Sequence, residues 1–121
     1  MIDKKFLISP LNSVGSGVST FMLNKKFFDQ VNLFHENQPS KSLIEKKVNL
    51  PIVWLDQVHG SSIQRVKGSK PELIKRTDGL YTKKPNLVLA LKTADCLPII
   101  LSNKDGNEIS ALHVGWRGLN K

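Results

Sequence analysis

The sequence is poor in the residues that form disulfides or hold metals. Only one cysteine and three histidines occur in 121 residues. A single cysteine cannot form a disulfide within the chain, which is typical of a reducing cytoplasm. Apolar runs also fall short of the roughly 20 residues that a membrane helix needs, and the N-terminus lacks the apolar core of a secretory signal. We therefore expect a soluble cytoplasmic domain without a membrane partner.

Acidic residues are also scarce. The chain has 10 Asp and Glu against 18 Lys and Arg, and its net charge is +8. Such a charge favours anionic partners, including phosphate and phosphorylated metabolites. The basic residues are scattered, and aromatic residues make up 7% of the chain without alternating with them. This pattern argues against a nucleic-acid partner, because single-strand binders stack bases on aromatic side chains.

Hydrophobic patterning predicts an α+β fold, with a mixed β-sheet and few helices. A helix is expected at 40–48, ended by Pro51, and a hairpin at 98–114, turning at Asp105-Gly106. The unbroken apolar run at 86–92 favours a strand buried on both faces. Further strands are predicted at 5–8 and 52–58, with 61–67 as a continuation or hairpin partner of the latter. We expect one domain over residues 1–121.

Three residues with metal-binding or nucleophilic side chains lie at the ends of predicted strands. His59 follows the strand at 52–58, Cys96 follows the strand at 86–92, and His113 ends the second arm of the hairpin. Side chains at strand ends can converge on one edge of a sheet. Two imidazoles and a thiolate suit tetrahedral zinc and leave a fourth position open.

Two other interpretations remain open for these residues. Cys96 could be a nucleophile with His59 or His113 as its base, and Asp95 or Asp78 could orient that histidine. Alternatively, Cys96 is a small buried hydrophobe and the histidines are ordinary core residues. Asp78-Gly79 is also typical of a plain turn.

The segment "GWRG" places Arg117 between two glycines, which allow close approach of a ligand. Trp116 is expected in the core, although it could also form the wall of a pocket for a planar base.

Four motifs between about residue 52 and residue 119 belong together: "WLDQVHG", "TDGLYT", "LALKTADCLPIIL" and "ALHVGWRG". In combination they resemble the YfiH-like family, also known as the laccase-domain or multicopper polyphenol oxidase family. Upstream, "GSGVS" (15–19) and "VNLFHEN" (31–37) resemble shortened family segments, whereas "ENQPSKSLIEKK" lacks the arginine that members often carry.

The resemblance implies a layered sandwich fold and a zinc ion held by His59, Cys96 and His113. It implies phosphorolysis of adenosine, inosine or methylthioadenosine with inorganic phosphate as co-substrate, and deamination of adenosine. Family members also carry a copper oxidase label, but three histidines are too few for a multicopper centre. For these reactions Asp95 is the candidate proton shuttle. The candidate substrate-binding residues are Arg117, for an anion, together with Asn32 and Asp78.

Members of the family continue well beyond "GWRG", so the resemblance implies that this sequence is an N-terminal portion with an incomplete substrate pocket. Two alternative functions therefore stay open. One is a cysteine hydrolase that uses Cys96 and a histidine base. The other is a non-catalytic module that binds a metal or an anion.

Overall fold

The computed structural model of the chain describes residues 7–8, 15–24 and 39–121, which divide between two compact units. The first unit comprises Met1–Ser13 and Ser19–Leu50. Its described part contains strands β1 (Leu7–Ile8) and β2 (Met22–Leu23), which pair antiparallel, and helix α1 (Pro39–Val48). The helix predicted at 40–48 is thus confirmed. It ends at Asn49, whose backbone is left-handed with φ 55° and donates to the Glu45 carbonyl, a common way to end a helix.

The second unit comprises Val14–Val18 and Pro51–Lys121, and it holds two β-sheets. Its elements are β3 (Ile52–Leu55), β4 (Ile63–Arg65), β5 (Glu72–Ile74), β6 (Gly79–Thr82), β7 (Val88–Ala90), β8 (Leu97–Ser102), β9 (Ile109–Val114) and the short helix α2 (Trp116–Leu119). The first sheet is parallel, in the order β5-β3-β7. The second sheet is mixed, in the order β4-β6-β9-β8, with only β4 and β6 parallel.

The core of this unit is formed by apolar residues from both sheets. β3 is buried at all four positions, as expected for the central strand of a parallel sheet. Its Val53 and Leu55 pack in one cluster with Val66, Leu80 and Leu87. This packing holds the ends of β3 and β6 close together, and that proximity positions the site described below.

The predicted hairpin at 98–114 is confirmed as β8 and β9, with Leu97 opposite Val114 and Ser102 opposite Ile109. Its turn uses Gly106 at φ 71°, a backbone conformation that favours glycine. A Cβ at Gly106 would also lie 1.7 Å from the Ser16 carbonyl oxygen, so glycine is required there for packing as well.

Two strand predictions are wrong in detail. The segment 61–67 forms β4, which neither continues β3 nor pairs with it, but lies parallel to β6 in the other sheet. The backbone carbonyl of Ser62, just before β4, accepts the N–H groups of Asp78 and Gly79, and these bonds hold β4 beside β6. The apolar run at 86–92 forms β7, but the three residues of this strand are half-buried rather than buried on both faces. Among the described strands, β7 pairs with β3 alone and lies at the edge of the sheet.

The prediction of Trp116 in the core is also wrong. Its side chain is 72% exposed, and helix α2 has no buried residue. The Arg117 guanidinium lies 5.3 Å from the centre of the indole ring and covers it instead. Across the described residues, no helix is both long enough and apolar enough to cross a membrane.

Candidate metal site

The structure brings His59, Cys96 and His113 together. One ligand atom from each residue lies within 4.8 Å of the other two. His59 lies in the loop after β3, Cys96 immediately precedes β8, and His113 is on β9. The two imidazole rings pack edge to face with their centres 5.0 Å apart. Three segments that are distant in sequence therefore present one thiol and two imidazoles to a common point.

This donor set fits a zinc ion. Zinc takes imidazole nitrogen and thiolate sulfur at about 2.0–2.3 Å, which places neighbouring ligand atoms about 3.5 Å apart in a tetrahedron. His59 is exposed, so its ring can adjust, whereas His113 is buried and only 4% exposed. Among the described residues three side chains form this group, and a zinc ion with three protein ligands keeps one coordination position open, as in catalytic rather than structural zinc sites.

Asp78 fixes the orientation of His113. Its Oδ1 lies 2.9 Å from His113 Nδ1, and both side chains are almost completely buried. A carboxylate in this position accepts a hydrogen bond from Nδ1–H, so Nε2 carries the free lone pair. The pair therefore selects the tautomer of His113 that can bind a metal through Nε2.

The same carboxylate also holds the loop that carries His59. Asp78 accepts the backbone N–H groups of Val58, His59 and Gly60 at 2.8–3.2 Å. His59 has a left-handed backbone with φ 58°, which costs a residue with a Cβ about 1–2 kcal/mol. The three N–H bonds stabilise this strained conformation. Asp78 thus positions both histidines at once.

The charge of Asp78 is maintained by these contacts. Burial alone would raise the pKa of the Asp78 carboxyl, but the hydrogen bonds from His113 and from the Gly60, Val58 and His59 backbone outweigh it and lower the pKa. The four bonds also use the four lone-pair positions of the carboxylate, so none remains for a substrate.

The other predicted site residues are placed as follows. Asp95 is exposed and directly precedes Cys96, outside the group of three ligands. Arg117 is exposed in α2, two residues after Gly115. A Cβ at Gly115 would lie 3.3 Å from Cys96 Sγ, so this glycine lets the backbone approach the ligand group. Asn32 lies outside the described residues.

One residue that our sequence analysis did not single out is Gln57, in the segment "QVHG". Its side-chain amide bonds to the backbone of Lys92, which precedes Cys96 by four residues. A polar side chain two residues before a candidate ligand was a usable signal, although it does not reveal its partner.

Comparison with known proteins places these motifs in context. A family model described as multi-copper polyphenol oxidoreductase laccase matches residues 15–121. The purine nucleoside phosphorylase YfiH of Escherichia coli strain K12 is 48% identical over 73 residues, which are 59% of this chain and 30% of that protein. A purine nucleoside phosphorylase of Haemophilus influenzae is 38% identical over 82 residues, which are 66% of this chain and 33% of that protein. The chain thus spans about a third of the length of these relatives.

Solved structures agree with the sequence comparison. The YfiH protein of Bacillus licheniformis has a TM-score of 0.59 at 26% identity, and YlmD of Geobacillus stearothermophilus has a TM-score of 0.55 at 26% identity. Each likeness covers 93% of this chain and 42% of the solved chain. The predicted α+β fold with mixed sheets and few helices is confirmed by these neighbours. Because the family model matches nearly the whole chain, and YfiH proteins are among its relatives, the chain belongs to the multi-copper polyphenol oxidoreductase laccase family, the YfiH-like family that its motifs resemble.

Proposed function

We propose that this chain supplies the zinc site of a purine nucleoside phosphorylase, with purine nucleosides and inorganic phosphate as substrates. The observation that carries the proposal is the convergence of His59, Cys96 and His113. The names of the relatives, purine nucleoside phosphorylases, support the substrate class.

Zinc suits the site better than the copper in the family's description. A multicopper centre requires many imidazoles, and this chain has three histidines in total. The cluster uses two of them with one thiolate, a donor set typical of mononuclear zinc. When bound, zinc supplies Lewis acidity at its remaining coordination position. Because the thiolate of Cys96 must stay reduced to bind the ion, we place the protein in the cytoplasm.

The residues around the cluster have distinct proposed roles. Asp78 keeps His113 in its metal-binding tautomer and holds the His59 loop, and it contacts no substrate. Arg117 is exposed beyond the end of β9, where its guanidinium can bind phosphate and share the charge that develops on it. Asn32 remains a candidate contact to the nucleoside.

We further propose that the site deaminates adenosine and cleaves methylthioadenosine. In deamination, water adds to C6 of the purine and the amino group leaves as ammonia. The exposed carboxylate of Asp95, next to Cys96, takes a proton from the water and passes it to the leaving amino group. Both activities would use the same purine-binding space.

One observation favours a second candidate, a cysteine hydrolase. In space, the Asp78 carboxylate holds the His113 imidazole, and this imidazole lies close to the Cys96 thiol. This is the order of groups that activates a nucleophilic thiol. In that case the protein is active without metal, and a thiol reagent that alkylates Cys96 abolishes the activity.

A single set of measurements separates these functions. Elemental analysis of the purified chain is expected to give one zinc per chain, and an assay of base release from adenosine is expected to depend on phosphate. Replacement of His59, Cys96 or His113 by Ala should abolish zinc binding and turnover together. Full turnover by a metal-free Cys96→Ala protein would refute the proposal. Bound zinc with no turnover of any nucleoside would instead indicate a non-catalytic metal-binding module.

A further inference from the structure

Gln57 joins two segments of the candidate metal site. Strands β3 and β7 are parallel neighbours, and their paired residues end at Trp54 and Ala90. Beyond these residues, the Gln57 side chain makes the hydrogen bonds between the two segments. Its Nε2 donates to the Lys92 carbonyl at 2.6 Å, and its Oε1 accepts the Lys92 N–H at 2.8 Å. We name these two bonds the Gln57 amide pair. They extend the sheet by one bridge that a side chain, not the backbone, provides.

The Gln57 amide pair lies between two of the proposed ligands. His59 is two residues after Gln57, and Cys96 is four residues after Lys92. Within the second segment, the Thr93 hydroxyl donates to the Cys96 carbonyl and so closes a tight turn. The Gln57 amide therefore holds Lys92, and the Thr93 hydroxyl holds the turn between Lys92 and Cys96. Through these bonds Gln57 influences the position of Cys96 relative to His59.

This connection complements the one made by Asp78. The Asp78 carboxylate ties the His59 loop to His113, but it makes no hydrogen bond to the segment that carries Cys96. Cys96 is linked to His59 indirectly, because β8 pairs with β9 beside His113, and the Gln57 amide pair adds a direct tie between the segments that carry His59 and Cys96. Because Gln57 is half-buried and Lys92 is exposed, the pair adds little to the buried core of the fold.

We propose that Gln57 is a positioning residue of the metal site, which sets the distance between His59 and the Cys96 thiolate. The inference rests on the proposed metal site and extends it to a residue that touches neither metal nor substrate. Partners outside the ligand set typically change metal affinity by about 10–100-fold when they are replaced. Since Gln57 acts through the backbone, we expect an effect near the lower end, about tenfold.

The test compares Gln57→Met with Gln64→Met in the full chain. Methionine keeps the length of glutamine but removes both hydrogen bonds. Gln64 is a matched control, because its exposed amide also donates to a backbone carbonyl, that of Lys75 at 3.2 Å, on a segment without ligands. Zinc affinity is measured by competition with a chromogenic chelator. Gln57→Met should bind about tenfold more weakly, and Gln64→Met should match the wild type.

Two further readouts separate positioning from a general loss of structure. The visible spectrum of the cobalt-substituted protein reports ligand geometry, and it should change in Gln57→Met but not in Gln64→Met. Gln57→Glu keeps an acceptor for the Lys92 N–H but places its second oxygen against the Lys92 carbonyl, so its zinc affinity should also fall below that of the wild type. In the metal-free chain, exchange of the Lys92 amide hydrogen should accelerate in Gln57→Met.

The outcomes distinguish this inference from the function on which it rests. If the wild type binds no zinc, the proposed metal site is wrong, and the proposed role of Gln57 is then wrong as well. If the wild type binds zinc and Gln57→Met binds equally well with an unchanged cobalt spectrum, the positioning role alone is wrong. A drop in the unfolding midpoint of the metal-free Gln57→Met protein that accounts for its lower affinity would assign Gln57 to general stability and likewise overturn the positioning role.

Discussion

The replacement Asp78→Asn tests most directly how the site is held together. The asparagine has nearly the shape of aspartate but presents one oxygen and one NH2 group. In the native chain Oδ2 accepts the Val58 and Gly60 N–H groups, and Oδ1 accepts the His59 N–H and faces His113 Nδ1. Whichever oxygen becomes NH2, it meets at least one backbone donor and loses the bonds at that position.

The cost of this replacement can be worked out for each orientation. With NH2 at the Oδ2 position, two backbone N–H groups lose a charged acceptor. With NH2 at the Oδ1 position, the His59 N–H is orphaned and NH2 can donate to His113 Nδ1, which moves the ring proton to Nε2, the atom that should bind the metal. Hydrogen bonds to charged groups contribute about 1.5–3 kcal/mol each. We therefore expect a loss of about 3–5 kcal/mol in the free energy of unfolding, a large share of the roughly 5–15 kcal/mol that domains possess.

Urea denaturation of the metal-free chain measures this loss, and chelator competition measures zinc affinity, which should fall by about 10–100-fold. Asp56→Asn is the matched control, because the half-buried Asp56 carboxylate also accepts a backbone N–H group, that of Arg76 at 3.3 Å. It should lose less than about 1 kcal/mol. An Asp78→Asn protein as stable as the Asp56→Asn protein, with wild-type zinc affinity, would show that Asp78 supports neither histidine.

Three further predictions concern packing and chemistry. Gly115→Ala places a Cβ 3.3 Å from Cys96 Sγ. Zinc affinity measured by chelator competition should therefore fall several-fold, while the unfolding midpoint stays unchanged. A zinc affinity equal to that of the wild type would contradict the close approach. Leu80→Ala, at a fully buried position, should cost about 3–5 kcal/mol in urea denaturation, and Leu101→Ala, at a side chain that is 52% exposed, should cost less than about 1 kcal/mol. Asp95→Asn should slow adenosine deamination by about 100-fold or more at unchanged zinc affinity, and wild-type deamination would exclude it as the proton shuttle.

Local rules predicted the hairpin and the helix correctly, because both depend on neighbouring residues. Asp105-Gly106 favours a tight turn, and Gly106 indeed has a positive φ. Strand pairing between distant segments followed no such rule. The segment 61–67 has the composition of a hairpin arm, yet it pairs with β6 in the other sheet. The Ser62 carbonyl accepts two N–H groups at the start of β6, and nothing in the local residue pattern indicates this partner. An apolar run such as 86–92 likewise does not reveal how many neighbours its strand has.

The three proposed ligands were more predictable than the groups around them. His59, Cys96 and His113 are rare residue types at strand ends, so their convergence followed from the approximate fold. Asp78 and Gln57 act through the backbone of segments 18–35 residues away, and residue type does not encode such partners. From the sequence, Asp78 had three interpretations: a turn residue, a histidine partner or a substrate contact. The carboxylate has four donors around it and is 3% exposed, which favours the histidine partner over the other two interpretations.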